Sequence, residues 1–128
     1  RQRQMCIRDR LITDKTIQFM IKDFNCNPEN MIAGIGPSID SCCFNIGQDT
    51  AELLKSSFDY SNGVIRHTNG QFQADLKEAN REQLLSRGLK NENIEISPIC
   101  TCCTGKDFFS YRSENGNTGR FAAFLNIL

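Results

Sequence analysis

The amino-acid sequence predicts an α+β domain with a mixed β-sheet and flanking helices. Amphipathic helical stretches and short apolar runs typical of strands occur in mixed order along the chain. They do not show the regular alternation of strands and long crossover helices that a doubly wound sheet requires. The 128 residues are enough for one domain of ordinary size.

The composition narrows the class of partner. Hydrophobic residues make up 39% of the chain and charged residues 23%, as in soluble globular proteins. The formal net charge is zero, which argues against nucleic acid or an anionic membrane as the main partner. No apolar run approaches the roughly 18 residues that a membrane span needs. There are seven cysteines, several of them adjacent, and no secretory signal is visible, so we expect reduced thiols in a cytoplasmic protein.

The first ten residues differ from the rest. Residues 1–10 carry four arginines and one aspartate and follow neither the helical nor the strand period. Their sequence resembles translated adapter segments at the ends of assembled fragments, so we exclude them from the fold prediction as artefactual or disordered. A genuine basic arm is the alternative.

The first half of the remaining chain predicts a helix, two strands and a second helix. The first helix begins near Thr13, with Thr13 or Asp14 as its cap and one apolar stripe, formed by Ile17, Met20, Ile21 and Phe24. Residues 31–35 are apolar without alternation, as in a buried strand, and end at a turn signal. Residues 43–46 predict a second short strand. Residues 48–58 then predict a helix that buries three side chains, Ala51, Leu54 and Phe58.

The second half contains stronger local signals. Asn62-Gly63 and Asn69-Gly70 are turn pairs, and a weak hairpin is expected through Val64-Ile65. Asp75 with Glu78 three residues later resembles a capping box, and Gly88 is expected to end that helix. Residues 94–97 alternate as a strand does.

The stretch from Cys100 to Arg120 holds the candidate binding residues. Its strand-like apolar runs are interrupted by small, polar and cationic side chains, which are Thr101, Ser110, Arg112, Thr118 and Arg120. An arginine offers a rigid fork of donors that suits phosphate, carboxylate or a polar heterocycle. The alternative is a hairpin of two strands with solvated arginines.

The cysteines and the single histidine are the remaining candidates for chemistry. Cys42 or Cys43 together with Cys100, Cys102 or Cys103 could supply four thiolates to zinc. Adjacent cysteines do not have the gaps of zinc knuckles, and cysteine often only packs in a core. We therefore expect no metal ligand here. His67 lies in a polar stretch with nothing to tie it to a cysteine, so a Cys–His catalytic pair is not expected either.

Four motifs in order resemble one family. The first motif is Ile35-Gly36-Pro37-Ser38-Ile39 followed by Cys42-Cys43-Phe44-Asn45-Ile46-Gly47, and the second is the helix from Asp75 to Leu84. The third is Cys100-Thr101 followed by Phe108-Phe109-Ser110-Tyr111-Arg112, and the fourth is Thr118-Gly119-Arg120. The family is the laccase-domain group, long labelled polyphenol oxidases and now regarded as purine nucleoside phosphorylases with adenosine deaminase activity. The resemblance extends over about residues 11–128 and implies the C-terminal half of a larger single domain.

The resemblance also implies how the site is divided. The family's metal ligands, two histidines and a cysteine, belong to the N-terminal half, so no catalytic residue and no metal ligand is carried over to this chain. Zinc or copper is expected in the full-length protein and none in this half, which we expect to be inactive alone. The substrates would be a purine nucleoside and phosphate. Arg112 and Arg120 would contact the anion or the substrate, and Ser110 with Gly36, Pro37 and Ser38 would form the pocket wall.

Two other functions stay open at this point. One is a copper-dependent polyphenol oxidase, although multicopper chemistry needs many imidazoles and the chain has one. The other is a small thiol-rich zinc-binding module. The sequence gives no oligomeric state.

Overall fold

A computed structural model of the chain describes residues 11–57, 61–105 and 107–126. The adapter-like segment and Phe58, which was expected to be buried, lie outside the described residues. The helices are α1 (Ile12–Phe24), α2 (Gln48–Ser57), α3 (Ser61–Val64) and α4 (Leu76–Ser86), with 3-10 turns at Pro28–Asn30 and Asn91–Asn93. The strands are β1 (Ala33–Ile35), β2 (Asn45–Ile46), β3 (Ile65–Thr68), β4 (Gln71–Ala74) and β5 (Ile94–Ile96).

The strands pair in both directions, and the predicted α+β class is confirmed. β1 and β5 form a parallel pair in which Ala33 lies opposite Ile94. β2, β4 and β3 form an antiparallel sheet in that spatial order. The parallel pairing resumes after β1 and β5 at a single bridge between Ser38 and Cys100, which places these two segments side by side.

The hairpin of β3 and β4 is formed by its turn residues. Asn69 and Gly70 both have positive φ, 52° and 74°. Two such residues in a two-residue loop give the turn whose twist matches that of the flanking strands. The predicted hairpin is confirmed around Asn69-Gly70 and is longer than the sequence indicated, whereas the other predicted turn pair, Asn62-Gly63, lies within α3.

Helix α4 joins two small cores. Its Ala79 belongs to the first core, which contains Leu54, Val64, Ala74 and Ala79. Its Leu84 belongs to the second, which contains Ile17, Met31, Leu84 and Leu89. The predicted ends of this helix are confirmed, because the Asp75 side chain accepts a hydrogen bond from the Glu78 amide at 3.0 Å and Gly88 has φ of 92°. The Asp75 cap supplies a partner for an amide that the helix itself leaves unbonded.

Helix α1 differs from its prediction at both ends. It begins after Leu11, which provides no side-chain cap. The Thr13 hydroxyl instead donates to Asn80 Oδ1 at 2.7 Å, so Thr13 ties α1 to α4 rather than capping it. At the other end Phe24 is 67% exposed, and the buried stripe is therefore narrower than the period predicted.

The C-terminal segment forms turns instead of the strand pair suggested by its apolar runs. Residues 101–105 and 111–116 are turns, and residues 117–126 have no regular structure. Phe124 and Leu125 are almost fully exposed, at 95% and 98%. Within the described parts of the chain, no helix has the length and apolar character to cross a bilayer.

Candidate functional site

An open cleft of about 160 Å³ lies where the C-terminal turns meet the loop that precedes β2. Residues from three segments line it, namely Ile39, Phe44, Thr101, Phe109, Ser110, Tyr111 and Arg112. Aromatic rings make up much of the wall, and the polar side-chain groups are the hydroxyls of Thr101, Ser110 and Tyr111 and one guanidinium. The sequence-predicted residues Ser110 and Arg112 therefore come together in one cleft.

Arg112 is exposed and lies over an aromatic ring. Its guanidinium carbon is 5.5 Å from the centre of the Phe44 ring, in the range of a cation–π contact. Both terminal nitrogens lie 3.5 Å from the Asn45 carbonyl oxygen, at the long limit of a hydrogen bond. These contacts orient the fork but do not saturate its five donors.

Ser110 and Thr101 are the buried polar residues of the cleft, 6% and 5% exposed. The Ser110 carbonyl accepts from the Glu114 amide at 3.0 Å, which fixes the turn that presents Arg112. The Thr101 amide donates to the Ser38 carbonyl at 3.1 Å. The backbone of both segments is thus held before any ligand binds.

The other predicted residues lie elsewhere. Gly36, Pro37 and Ser38 do not line the cleft. The backbone of Ser38 pairs with that of Cys100, next to the cleft residue Thr101. Arg120 is exposed in the irregular C-terminal segment and is also outside the cleft lining. Near it, the buried Thr118 hydroxyl has no hydrogen-bond partner among the residues that the structure describes.

Sequence reasoning missed Lys77, a buried cation beside the site. Its ammonium donates to Asp40 Oδ2 at 3.2 Å and to the carbonyls of Ser97 and Ile99, both at 2.9 Å. Burial raises the pKa of Asp40, but the Ser41 amide and Lys77 lower it more, so the net shift is downward. No sequence signal marked Lys77, because a lysine on an amphipathic helix usually faces water.

Four cysteine sulfurs meet on the two segments that this ammonium joins. Cys42, Cys43, Cys100 and Cys103 have Sγ atoms that all lie within 4.8 Å of one another. No metal ligand was expected among them, because adjacent cysteines lack the gaps of zinc knuckles. Cys100 and Cys103, however, have two residues between them, the shortest gap of zinc-binding pairs.

The environment differs between these thiols. Burial opposes ionisation of Cys100, but the amides of Asp40, Cys103 and Cys102 directed at its sulfur outweigh burial and lower its pKa to about 6. Burial, together with hydrogen bonds to neighbouring thiols, raises the pKa of Cys42 to about 11. Hydrogen bonding to Cys103 and burial raise the pKa of Cys43 as well. Ionisation of Cys100 is therefore favoured over that of Cys42 and Cys43.

His67 lies on β3, outside this group of sulfurs. Its ring is exposed and stacks against Phe72, with 4.5 Å between the ring centres. It has the solvated position that the sequence predicted.

Comparison with known proteins identifies the family. A family model described as multi-copper polyphenol oxidoreductase laccase matches residues 9–128. The chain belongs to this family. The laccase-domain resemblance is thereby confirmed, and the match includes two of the ten residues that we had set aside.

Similar proteins carry enzyme names. The purine nucleoside phosphorylase YlmD of Geobacillus stearothermophilus is 39% identical over 100 residues, which cover 77% of this chain and 36% of that protein. The adenosine deaminase RL5 of an unknown prokaryotic organism is 37% identical over 90 residues, 69% of this chain and 34% of that protein. The crystal structure of YlmD from G. stearothermophilus superposes with a TM-score of 0.77 at 35% identity over 84% of this chain. The chain spans 41% of that structure, less than half its length.

Proposed function

We propose that this laccase-domain chain is the C-terminal half of a metal-dependent purine nucleoside phosphorylase that also deaminates adenosine. The observation that carries the proposal is the cleft, in which Arg112 lies over an aromatic ring beside the buried Ser110. Two similar proteins are named as a phosphorylase and a deaminase, which supports the same reaction classes.

The cleft chemistry suits phosphate or a purine. A guanidinium fork binds a tetrahedral anion through two parallel charge-assisted hydrogen bonds. The rings of Phe44, Phe109 and Tyr111 offer apolar faces on which a heterocycle can stack. Zero net charge on the chain means that the attraction for an anion comes from local arrangement rather than from the overall field.

The size of the cleft indicates one wall of a larger site. Its volume of about 160 Å³ is below the roughly 300 Å³ at the lower end of small-molecule sites. It has room for phosphate or for part of a nucleoside. The remaining walls, and the zinc or copper that would supply Lewis-acid chemistry, would come from the other half of the protein.

The remaining predicted residues have supporting roles in this proposal. Ser38 would position Ile39 and Thr101 through its contacts with the segment at Cys100, and Gly36 and Pro37 would set the turn before it. Arg120 would contact the anion from the irregular segment that follows Thr118. The 128-residue chain alone would be inactive.

Copper-dependent oxidation of phenols is the second candidate, since the family description names it. A multicopper centre needs many imidazoles, and this chain supplies one, His67, stacked on Phe72. Nothing in the cleft favours this chemistry over phosphorolysis. A cytoplasmic location agrees with the free thiols of all six described cysteines, because disulfides form in oxidising compartments.

The proposed function is tested by recovering the intact gene, assaying its product and then assaying an Arg112 variant. Sequencing the source DNA across the codons for residues 1–13 would supply the intact reading frame. The intact product should release base from inosine only when phosphate is present, and ammonia from adenosine. Arg112→Ala should lower kcat/KM for phosphorolysis about 10- to 150-fold, the equivalent of one charge-assisted hydrogen bond of about 1.5–3 kcal/mol.

The matched control is Lys22→Ala, which removes the same charge from an exposed position on α1. Its kinetics should equal those of the unchanged protein, and both variants should melt at the same temperature. Turnover of Arg112→Ala equal to that of the control would remove the cleft from the active site. Nucleoside cleavage that does not depend on phosphate would refute the phosphorylase assignment.

A further inference from the structure

Four thiols from two distant segments form a tetrahedron-like group. Cys42 Sγ lies 3.8 Å from Cys43 Sγ, 3.7 Å from Cys100 Sγ and 3.6 Å from Cys103 Sγ. Cys43 Sγ and Cys103 Sγ are 3.4 Å apart. The segments that supply them are about 60 residues apart in the sequence, so chain proximity does not bring the sulfurs together.

These distances match the coordination geometry of one zinc ion. Four sulfurs placed tetrahedrally around zinc at about 2.3 Å are separated from one another by about 3.8 Å. Four of the six separations fall between 3.4 and 3.8 Å, and the other two, from Cys100 Sγ to Cys43 Sγ and to Cys103 Sγ, are within 4.8 Å. An iron–sulfur cluster attaches its cysteines to different irons and would hold them further apart, so the spacing indicates a mononuclear site.

Packing of thiols in a core does not explain the group. Cys42 and Cys103 are exposed and Cys43 is half-buried, while only Cys100 is buried. Cysteines that serve as small apolar residues are usually buried. The exposed side also gives a metal ion a direct route to the sulfurs.

Other contacts hold the two segments in place. The Asp40 amide donates to Cys100 Sγ at 3.4 Å, an interaction that favours a thiolate ligand. Lys77 binds Asp40 in one segment and the Ser97 and Ile99 carbonyls in the other. The Ser38–Cys100 bridge joins the same two segments through their backbones. Polar contacts that orient ligand-bearing segments are the usual surroundings of a metal site.

We propose that Cys42, Cys43, Cys100 and Cys103 bind one zinc ion in a structural tetrathiolate site. All four sulfurs would bind as thiolates, so zinc binding would release to the solvent whatever protons the thiols still carry and leave a zinc–thiolate group with a net charge of −2. Four sulfur ligands close the coordination shell, so this ion would have no open position for a substrate. The proposal does not depend on the function proposed above.

Metal analysis of the 128-residue chain tests the proposal. The chain is produced in zinc-supplemented medium, purified with a phosphine reductant and without chelator, and analysed by elemental mass spectrometry. We expect about one zinc per chain. Adding cobalt to the metal-free chain should give the intense absorption of tetrahedral cobalt thiolate. Absence of zinc and of that absorption, or iron in place of zinc, would overturn the assignment.

Serine variants identify the ligands. Cys103→Ser should weaken zinc binding by about 100-fold or more in a competition titration, because changes outside the ligand shell already cost 10- to 100-fold. The matched control is Cys26→Ser, a free cysteine after α1 that lies outside the group, which should keep the affinity of the unchanged chain. Equal zinc affinity in both variants would overturn the proposal. Should Cys103→Ser fail to fold, the cobalt spectrum of the unchanged chain decides between thiolate and other ligands.

Discussion

The Lys77→Met substitution tests how the loop before Cys42 is held against the segment that leads to Cys100. Methionine keeps most of the length of the lysine stem and removes the ammonium. Three acceptors then lose their donor, which are Asp40 Oδ2, the Ser97 carbonyl and the Ile99 carbonyl. The lysine side chain is only 6% exposed, so water does not replace the ammonium in place.

The expected loss of stability is about 3 kcal/mol. Breaking a buried ion pair by removing one partner costs roughly 3–5 kcal/mol, and each stranded carbonyl costs roughly 1–3 kcal/mol. The Asp40 side chain is 28% exposed and can be hydrated again, so the ion-pair term falls to about 1 kcal/mol, and the two carbonyls add about 1 kcal/mol each. A loss of about 3 kcal/mol is a large part of the roughly 5–15 kcal/mol that keeps a domain folded.

Urea denaturation followed by far-UV circular dichroism measures the loss. Lys90→Met is the matched control, because Lys90 lies 3.7 Å from Glu29 with both side chains about half exposed or more, and such pairs contribute about 0–1 kcal/mol. The loss of stability in Asp40→Asn should lie between those of Lys77→Met and Lys90→Met, since Lys77 keeps both carbonyl partners. A Lys77→Met chain no less stable than Lys90→Met would refute the view that this ammonium joins the segments.

Two further substitutions test local structure by the same denaturation assay. Asp75→Ala should lower the free energy of unfolding by about 1 kcal/mol, because the Glu78 amide loses its cap. Asp75→Asn keeps an acceptor and should lower it less. Equal losses of stability in the two variants would contradict the cap. Gly70→Val should cost more than about 1 kcal/mol because a β-branched residue disfavours φ of 74°, whereas Gly34→Ala, with no atom within 4 Å of the added carbon, should cost less. The reverse order for the two glycines would show that turn geometry does not decide stability here.

Features that depend on neighbouring residues could be predicted from the sequence. The Asp75–Glu78 cap, the Gly88 helix end and the Asn69–Gly70 hairpin each depend on backbone chemistry within about four residues, and each was confirmed. The alternation of residues 94–97 likewise predicted β5, although not its parallel pairing with β1.

Features that depend on contacts between distant residues could not be predicted from the sequence. The cap of α1 was wrong because Thr13 has a better partner in Asn80, 67 residues away. The apolar run at the C-terminus predicted a strand, but a strand also needs a pairing edge, and residues 117–126 have none in the described chain. A four-thiolate set from these two segments was considered and not expected, because the sequence shows the spacing within each segment but not the distance between them.

The cleft and the sulfur group share their walls, which links the proposed function to the proposed metal. Ile39 and Phe44 flank the Cys42–Cys43 pair, and Thr101 lies between Cys100 and Cys103. Ordering a loop costs about 1–2 kcal/mol per residue in backbone entropy, and a ligand must supply that energy if the loop is not already fixed. Zinc would supply it in advance, because it fixes the two residues that precede Phe44, the ring on which Arg112 lies. A closed metal site that takes no part in the chemistry could therefore still set how tightly the arginine fork binds its anion.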